Sequence, residues 1–376
     1  MPYPANYGGV IDVYYTVKAL AERGVHVNLH CFYNKRKPAP ELQSEGVSVN
    51  YYKRKMGWWN HVHWLPFTVV SKPLKHLRHQ LLKDQNPIIA EVLHCIHVFK
   101  DAALKHRLKI YRHSNIEHRY YKGLAIAERH WLKKMYLYIE CLKLKHYESK
   151  ISNANLVWAV NQSDATYFTN RYPGLRVQWI PSFNGFKKID ALPGQGTYAL
   201  FHGNLEVSEN ILALHWIIKS LAPFQIPLVV AGNSASEKLW KSLRTYSWIT
   251  CVPSPQDSEL KDLIQNAQVH VLFTHQPTGL KLKLLNVLFN GRWLVCNFNM
   301  LDGTPIKPHE ELGVLVSNDS IEYGQLVKNA MNVKWKANSE QRNAVLKPFM
   351  DATNIKFVLK DLFESGEMVK PVIKEC

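Results

Sequence analysis

Short apolar runs rich in β-branched residues alternate with stretches of helical spacing along almost the whole chain. Apolar runs of about four to eight residues are typical of buried strands, and amphipathic stretches between them are typical of covering helices. This alternation predicts an α/β fold in which helices cover parallel sheets. The predicted strands are residues 25–33, 47–52, 88–93, 109–112, 156–160, 177–180, 198–202, 227–231, 249–252, 269–273, 293–296 and 313–316.

The same pattern predicts the main helices and a boundary between two units. A chain of 376 residues exceeds the ~250 to 300 residues at which single cores stop growing. Pro, Gly and Asn interrupt the rhythm at residues 181–196, where we expect a hinge. We therefore predict an N-terminal unit, a C-terminal unit and a final helix with its tail, at residues 1–182, 183–350 and 351–376. The main predicted helices start at residue 8 and span residues 117–149, 210–221, 259–266, 280–290 and 354–364.

The first predicted helix has no strand before it. It opens at Gly8 and Gly9, and only a Pro-rich loop precedes them. A doubly wound domain normally carries its first strand near the middle of the sheet. We therefore expect the first strand of the N-terminal sheet to be absent from this chain.

Composition indicates a globular protein without an export signal. The chain is 46% hydrophobic and 20% charged, and no run approaches the ~18 apolar residues that a membrane span needs. Its first residues lack the charged and then apolar order of a signal peptide, so we expect the cytoplasm. The six cysteines have no CxxC spacing, which predicts reduced core residues rather than disulfides or a zinc site.

The formal net charge of +17 favours anionic partners. Phosphorylated substrates, nucleic acid and an anionic membrane surface are all compatible with this charge. Basic residues mix with Trp at residues 51–59 and recur at residues 72–79, which suits a membrane interface and equally a solvated basic face with packed tryptophans. The chain has no helix-turn-helix, zinc-finger or RNA-binding signature, so nucleic acid is not a predicted partner.

Two glycine-bearing helix starts are predicted to hold anions. Gly8 and Gly9 would let a phosphate or sugar hydroxyl approach the backbone, and helix N-termini offer unpaired N–H groups. An ordinary glycine loop explains this pair equally well. Gly279 follows a predicted strand and is followed by Lys281 and Lys283, so this second helix start combines backbone amides with two cations. A diphosphate fits that environment.

Four segments carry a resemblance to a known family. They are residues 4–9 before a helix, 111–115 after a strand, 201–205 followed by Asn210, and 279–291 before a Trp-Leu-Val-Cys strand. Together they span nearly the whole chain. In this order they resemble the large retaining glycosyltransferase family four, in particular the bacterial sugar transferases of cell-surface polysaccharide synthesis. The resemblance implies the GT-B fold, two facing Rossmann-like doubly wound domains, with a final helix that crosses back to the N-terminal domain.

The resemblance also implies a role for each matching residue. Gly8 and Gly9 would lie under the reacting sugar and diphosphate, and His113 would approach the donor sugar. Lys281 and Lys283 would neutralise the leaving diphosphate, where preorganised charge lowers the barrier. His113 and Lys283 are the implied catalytic residues. The implied donor-binding set also contains Gly203, Asn204, Thr278, Gly279 and Asn286.

The chain departs from the family at two of these positions. Asn286 stands where the family commonly has a glutamate for the nucleotide ribose, and Asn204 stands where many members have an arginine. Both can form hydrogen bonds, but neither brings a charge. No DxD motif occurs in the chain, which fits the metal-independent GT-B type. Neither a metal nor a cofactor is therefore predicted.

Three histidines are expected on the acceptor side of the cleft. His94 and His97 follow a predicted strand, at a sheet edge where ligands gather, and His118 opens the long helix after His113. Core packing, helix capping and surface charge are the alternatives for these side chains. The His pairs at 94–97 and at 61–63 each lack a second cluster at zinc-site spacing, so no metal site is assigned to them.

The implied activity is transfer of a hexose from a nucleotide-diphosphate sugar to a glycan or lipid-linked acceptor. The enzyme would work in the cytoplasm, with peripheral contact at the anionic inner face of the plasma membrane. The alternative is a nucleotide-sugar-binding accessory protein with weak or no catalytic activity. Asn204, Asn286 and the missing first strand motivate this alternative.

Overall fold

The computed structural model describes residues 1–5, 8–276, 278–336 and 339–364. Each predicted strand is present, with bounds shifted by at most a few residues. The strand predictions are therefore confirmed. In chain order, the strands are β1 (Val27–Tyr33), β2 (Val47–Lys53), β3 (Ile88–Glu91), β4 (Lys109–His113), β5 (Leu156–Ala159), β6 (Arg176–Trp179), β7 (Ala199–Asn204), β8 (Leu228–Asn233), β9 (Ile249–Pro253), β10 (Val269–Val271), β11 (Trp293–Cys296) and β12 (Val314–Val316).

The strands of the C-terminal half form one parallel sheet in the order β12-β11-β10-β7-β8-β9. The order reverses direction at β7 and β10, the kind of point where doubly wound sheets leave a crevice for ligands. One face packs Phe201 and Val271 against helix residues such as Ile217 and Tyr323. The opposite face carries separate clusters, one of which includes Leu294. The sheet is therefore buried on both sides, as its nearly continuous apolar strands require.

Helices connect the strands throughout. Those of the N-terminal half are α1 (Gly8–Ala21), α2 (Trp59–Val62), α3 (Phe67–Val70), α4 (Leu74–Leu81), α5 (Glu117–Ala127), α6 (Trp131–Tyr147) and α7 (Gln162–Arg171). Those of the C-terminal half and the end of the chain are α8 (Ser208–Leu221), α9 (Glu237–Leu243), α10 (Asp257–Asn266), α11 (Leu282–Asn290), α12 (Phe298–Leu301), α13 (Ser320–Met331), α14 (Ser339–Leu346) and α15 (Asp351–Phe363). None of the described helices is long and apolar enough to span a bilayer.

The single long helix predicted at residues 117–149 is wrong. The chain forms α5 and α6 instead, separated by residues 128–130. The Glu128 carboxylate accepts hydrogen bonds from the backbone N–H groups of Arg129 and His130, at 2.9 and 3.0 Å. This local bonding competes with helical hydrogen bonds and stabilises the turn, and α5 and α6 then pack against each other. Apolar spacing alone could not locate the break.

The strands of the N-terminal half form two separate parallel sheets. One contains β1 and β2, the other contains β3 to β6 in chain order, and no described residue joins β1 to β3 by a ladder. Both sheets nevertheless contribute to the same cores, because Val27 and Ile89 share one apolar cluster and Phe32 and Ala90 share another. The break falls at the position where we expected a strand, and none of the described residues supplies it.

The last described helix, α15, contacts the N-terminal half. It packs against α1, and its Asp361 accepts a hydrogen bond of 2.7 Å from the Trp158 indole N–H. Arg176 forms an ion pair with the same carboxylate. Residues 180–198, which link the two halves, contain no helix or strand. The domain boundaries at 182 and 350 stay predictions.

Candidate functional site

The carboxyl edge of the C-terminal sheet brings several predicted donor-binding residues together. Gly203 and Asn204 end β7, and α8 begins just after them. The Asn210 side chain donates a hydrogen bond of 2.8 Å to the backbone oxygen of Asn204. The Lys283 ammonium donates to the Asn210 amide oxygen at 3.4 Å. Lys283 on α11 therefore lies beside the end of β7, although 79 positions separate it from Asn204 in the chain.

Two buried amines lie at this edge. Burial lowers the pKa of Lys281 to about 8, against opposing effects of Asp164, Asp302 and Glu209. Burial also lowers the pKa of Lys283, and Glu209 partly offsets this effect. A nearby negative charge stabilises the protonated form of an amine and raises its pKa. An anion that binds here would therefore offset the effect of burial on both lysines. The edge can therefore hold a group with several negative charges.

Two hydrogen bonds hold the Glu209 carboxylate close to Lys281 and Lys283. Its carboxylate accepts hydrogen bonds from the Thr274 hydroxyl at 2.7 Å and from the backbone N–H of His275 at 3.0 Å. These bonds join the start of α8 to the loop after β10. Glu209 thus fixes the loop that leads to Thr278 and Gly279. Nothing in the sequence shows that these two segments meet, so this role of Glu209 could not be predicted from it.

The Thr278–Gly279 loop docks onto the N-terminal half. The Gly279 N–H donates a hydrogen bond of 2.9 Å to the Asp164 carboxylate, and the Asn161 amide donates to the Gly279 oxygen at 3.2 Å. The Thr278 hydroxyl lies 3.2 Å from the same carboxylate and accepts a 3.0 Å bond from the Ile116 N–H. Gly279 has a φ of +73°, so it forms the predicted turn. The backbone amide that we expected to face a diphosphate thus bonds a protein carboxylate.

Asp164 is the main site residue that the sequence analysis missed. It lies in the first turn of α7, where Asn161 caps the helix by accepting from the Asp164 N–H at 3.1 Å. Burial raises the pKa of Asp164, against lowering effects of the Gly279 amide, Lys281 and Thr278. An acidic residue in a first helical turn is typical of ordinary capping. The sequence therefore shows an acidic residue at this position, but the pattern indicates helix capping and not a contact with the Gly279 loop.

His113 is fully buried at the end of β4. Its Nε2 atom lies 3.7 Å from an Asp164 carboxylate oxygen, and its ring packs edge-on against Phe168. Neither ring nitrogen forms a well-oriented hydrogen bond within the described residues. Burial, followed by Arg112, lowers its pKa to about 3, against smaller effects of Glu148 and the Asn115 backbone. His113 therefore holds a neutral ring behind Asp164 and the docked loop, out of contact with solvent.

Space remains open over the start of α1. A Cβ atom built on Gly8 or on Gly9 would meet no heavy atom within 4 Å. One turn further along the helix, Asp12 forms a buried two-bond ion pair with Arg112, at 2.9 and 3.0 Å. Burial and Asp12 raise the pKa of neighbouring Glu91 to about 8, against the effect of Arg112. This edge of the N-terminal sheet therefore offers an open helix start and a carboxyl group whose pKa is raised by burial and by Asp12.

The histidines predicted on the acceptor side do not gather with the two lysines. Tyr147 lies 3.4 Å from the His97 ring nitrogen and stacks on it. His118 bonds the Glu148 carboxylate at 3.0 Å. Burial lowers the pKa of His94 well below its usual range, with further lowering by Lys72 and Arg54. The described contacts of all three histidines lie within the N-terminal half.

Asn286, expected to contact the ribose, lies on α11 and is partly exposed. Its side-chain oxygen accepts a 2.8 Å hydrogen bond from Asn290, one turn later. The described residues include no group of three or more His, Cys, Asp or Glu side chains that could hold a metal ion.

No family model matches the chain. A curated relative from Klebsiella pneumoniae, named as an uncharacterized 44.6 kDa protein in the cps region, is 26% identical over 352 residues and covers 87% of this chain and 88% of its own.

Solved structures identify the architecture. Sucrose-phosphate synthase from Thermosynechococcus elongatus superimposes with a TM-score of 0.69 at 14% identity, over 96% of this chain and 95% of its own. Anabaena HepE in complex with UDP and glucose gives a TM-score of 0.61 at 12% identity, over 95% of both chains. The chain has the GT-B fold. A complex of S. aureus TarM with Fondaparinux, alpha-GlcNAc-glycerol and UDP matches with a TM-score of 0.56 at 13% identity, over 80% of this chain and 58% of TarM.

In a GT-B protein the carboxyl edges of the two halves face each other. Lys281 and Lys283 lie at the carboxyl edge of the C-terminal sheet, and the Thr278–Gly279 loop bridges from this edge to Asp164 of the N-terminal half. This arrangement defines the candidate site.

Proposed function

We propose that this protein is a glycosyltransferase that moves a hexose from a nucleotide-diphosphate sugar to a glycan or lipid-linked acceptor. The observation that carries the proposal is the pair of buried amines, Lys281 and Lys283, at the sheet edge beside Gly203 and Asn204. The C-terminal half would bind the donor through this edge. The N-terminal half, with its open start of α1, would bind the acceptor.

The reaction breaks the bond between the sugar C1 and the β-phosphate oxygen and forms a bond from C1 to an acceptor hydroxyl. The nucleoside diphosphate leaves with the bonding electrons, and the proton of the acceptor hydroxyl passes, directly or through water, to this departing diphosphate. Negative charge therefore grows on the leaving diphosphate, where the Lys281 and Lys283 ammonium groups would stabilise it. Closure of the two halves around the donor would exclude water, which otherwise hydrolyses it.

Several finer features of the proposal come from likeness to other proteins. UDP is present in the HepE and TarM complexes, which supports a nucleotide-sugar donor. Retention of the anomeric configuration and a metal-independent mechanism follow from the resemblance to glycosyltransferase family four. The curated relative is named for a cps region, which together with that resemblance supports a role in cell-surface polysaccharide synthesis. A lipid-linked acceptor would place the enzyme at the inner face of the plasma membrane.

A second function is favoured by one feature of the site. The Asp164 carboxylate accepts a hydrogen bond from the Gly279 amide, and the neighbouring His113 side chain is fully buried. A protein that keeps this contact when a nucleotide sugar binds would be an accessory binder with little or no turnover. The two functions differ in whether donor is consumed.

The test is a panel of nucleotide-diphosphate sugars, screened first by thermal shift and then for donor consumption. We expect one donor to stabilise the protein and to be turned over, with the product anomer assigned by NMR. Lys283→Ala should raise the donor Kd about tenfold to a hundredfold, since a charged hydrogen bond contributes roughly 1.5 to 3 kcal/mol. The matched control is Lys241→Ala, which removes an exposed lysine on α9.

Each result separates the proposals. Stabilisation without any donor consumption would favour the accessory binder. If Lys283→Ala binds and consumes donor as well as Lys241→Ala does, then Lys283 does not contact the diphosphate. If no nucleotide sugar or nucleoside diphosphate stabilises the protein, both functions are wrong.

A further inference from the structure

Helix α6 carries apolar side chains on two opposite faces. Leu137, Cys141 and Leu144 are buried against the N-terminal half. On the opposite face Trp131 and Leu142 are 68% and 67% exposed, and other large apolar side chains lie between them at helical spacing. A surface helix normally carries its large apolar side chains on one face, whereas α6 has a second apolar face that no described residue covers. The outer face therefore indicates a partner.

A loop rich in tryptophan extends this apolar face. Trp58, Trp59 and Trp64 are 60%, 68% and 67% exposed. The loop lies against α6, because the His61 ring nitrogen is 3.3 Å from the Tyr136 hydroxyl and the Lys143 ammonium donates to the His61 backbone oxygen at 3.0 Å. The two elements thus form one surface, which we call the Trp face. It consists of Trp58, Trp59, Trp64, Trp131, Met135 and Leu142.

A basic cavity adjoins the Trp face. It has a volume of about 650 Å³, and four lysines and two histidines line it, namely Lys53, Lys55, Lys72, Lys75, His76 and His79. The Asn60 side chain, between the exposed tryptophans, donates a 2.7 Å hydrogen bond to the backbone oxygen of Lys55, so the loop and the cavity are in direct contact.

Acidic side chains offset only part of this charge. Residues 46–83 contain seven Lys or Arg and no Asp or Glu, and one of the seven, Arg78, is paired with Asp101 from outside this segment. On α6, the buried Glu140 is paired with Lys143 and accepts from the Phe67 N–H. Between α5 and α6, Glu128 is paired with Lys133. The cavity and the Trp face therefore present a net positive charge beside exposed indoles.

We propose that the Trp face and the basic cavity dock this protein on an anionic phospholipid bilayer. Indole rings favour the boundary between headgroups and acyl chains, and lysines beside them favour anionic headgroups. The cavity takes lipid phosphates while the Trp face enters the boundary region. A protein partner is a poorer fit, because lysine is depleted in the cores of protein interfaces. The proposal goes beyond glycosyl transfer, since it requires neither donor nor acceptor.

The test is flotation of the full chain with phosphatidylcholine vesicles, with and without phosphatidylglycerol. We expect binding only to the anionic vesicles and weaker binding as salt rises. Lys53→Glu, Lys55→Glu and Lys75→Glu combined should reduce the partition coefficient at least ~tenfold. The matched control reverses three exposed lysines of the C-terminal half, Lys219→Glu, Lys238→Glu and Lys241→Glu, which gives the same net charge.

The apolar contribution needs a second set of variants. Trp58→Ala, Trp59→Ala and Trp131→Ala combined should also lower vesicle binding about tenfold. The control is Ile321→Ala, which removes a 74% exposed apolar side chain from α13. Circular dichroism and thermal melting of each variant would show that it is folded.

Three outcomes would overturn the proposal. They are no binding of the parent protein to anionic vesicles, an equal loss in the C-terminal control, and a change of self-association in the Trp variants without a change in vesicle binding. The last outcome would make the Trp face a contact between copies. Donor consumption with a water-soluble acceptor is measured separately, so failure of membrane docking and failure of the proposed transfer reaction remain distinguishable.

Discussion

Gly279→Ala tests whether the loop is docked on the N-terminal half. The φ of Gly279 is +73°, where an alanine costs about 1 to 2 kcal/mol. A Cβ there would lie 2.2 Å from the Asn115 side-chain oxygen and 2.8 Å from the backbone oxygen of Ser114. Asn115 can rotate away, but the Ser114 oxygen cannot move without shifting the end of β4. The loop must therefore withdraw from the N-terminal half.

Withdrawal breaks the hydrogen bond of 2.9 Å from the Gly279 N–H to the Asp164 carboxylate. A hydrogen bond to a charged group contributes about 1.5 to 3 kcal/mol. Gly24→Ala is the matched control, because Gly24 has a φ of +75° but a Cβ there meets nothing within 4 Å. The control should lose only the stability that an alanine costs at positive φ. The free energies of unfolding of the two variants should therefore differ by about 1.5 to 3 kcal/mol, the contribution of the lost hydrogen bond.

The assay is calorimetric unfolding of both variants, with hydrogen exchange of the loop amides. For a chain of 376 residues the shift is about 1.3 °C per kcal/mol, so Gly279→Ala should melt roughly 2 to 4 °C below Gly24→Ala. Its loop amides should also exchange faster than in the parent protein. Equal melting temperatures and equal exchange would show that the docked loop contributes nothing in solution, which would refute this reasoning.

Two further predictions concern the buried titratable groups. His113→Ala should reduce turnover with a smaller effect on affinity for a nucleoside diphosphate, measured by single-turnover kinetics and calorimetry; equal losses would place His113 on the nucleotide instead. The free energy of unfolding should fall as pH drops from about 6.5 towards 4, because the folded pKa values of His113 and His202 are lowered to about 3 and about 4 while unfolded histidines take up protons near 6.5. Over the same range Glu91, Glu117 and Asp351, whose folded pKa values are raised to about 8, about 7 and about 6, take up protons before their unfolded counterparts and oppose this loss. Burial also lowers the pKa of His97 to about 4 and the pKa values of His94 and His270 well below their usual range, so five histidines outweigh three carboxyl groups and the net stability falls. Urea titrations across this range check the sign, and stability that is flat or rising towards pH 4 would contradict it.

The sheet could be predicted from the sequence because its strands are buried on both faces. In β5, for example, all four residues from Leu156 to Ala159 are buried, so the strand appears as an unbroken apolar run. Periodicity also located α8 and α11 to within two residues. The break between α5 and α6 depends on side-chain hydrogen bonds of Glu128, which apolar spacing does not record.

The site was predictable only in part, because its key contacts are long-range. Lys281 and Lys283 follow a turn glycine at a sheet edge, and this local pattern indicated an anion site. Asp164 meets Gly279 across 115 positions of the chain, and no local pattern reports such a meeting. Likewise, the basic and Trp-rich run at residues 51–59 left a membrane interface and a packed core equally open. Its exposed side chains favour the surface interpretation for Trp58 and Trp59.

We expect the contact between Asp164 and the docked loop to connect donor binding with the exposure of His113. A diphosphate that accepts the Gly279 N–H hydrogen bond must displace the Asp164 carboxylate, since two anions cannot share one amide without strong repulsion. The same displacement removes the carboxylate that lies 3.7 Å from the His113 Nε2 atom. Donor binding at this amide and uncovering of the histidine are then one transition. A ligand shifts the equilibrium between the docked and the released loop only if it binds the two states with different affinity. A ligand that contacts Lys283 but not the Gly279 amide would therefore not shift this equilibrium. The difference between a transferase and an accessory binder thus reduces to whether the donor reaches Gly279.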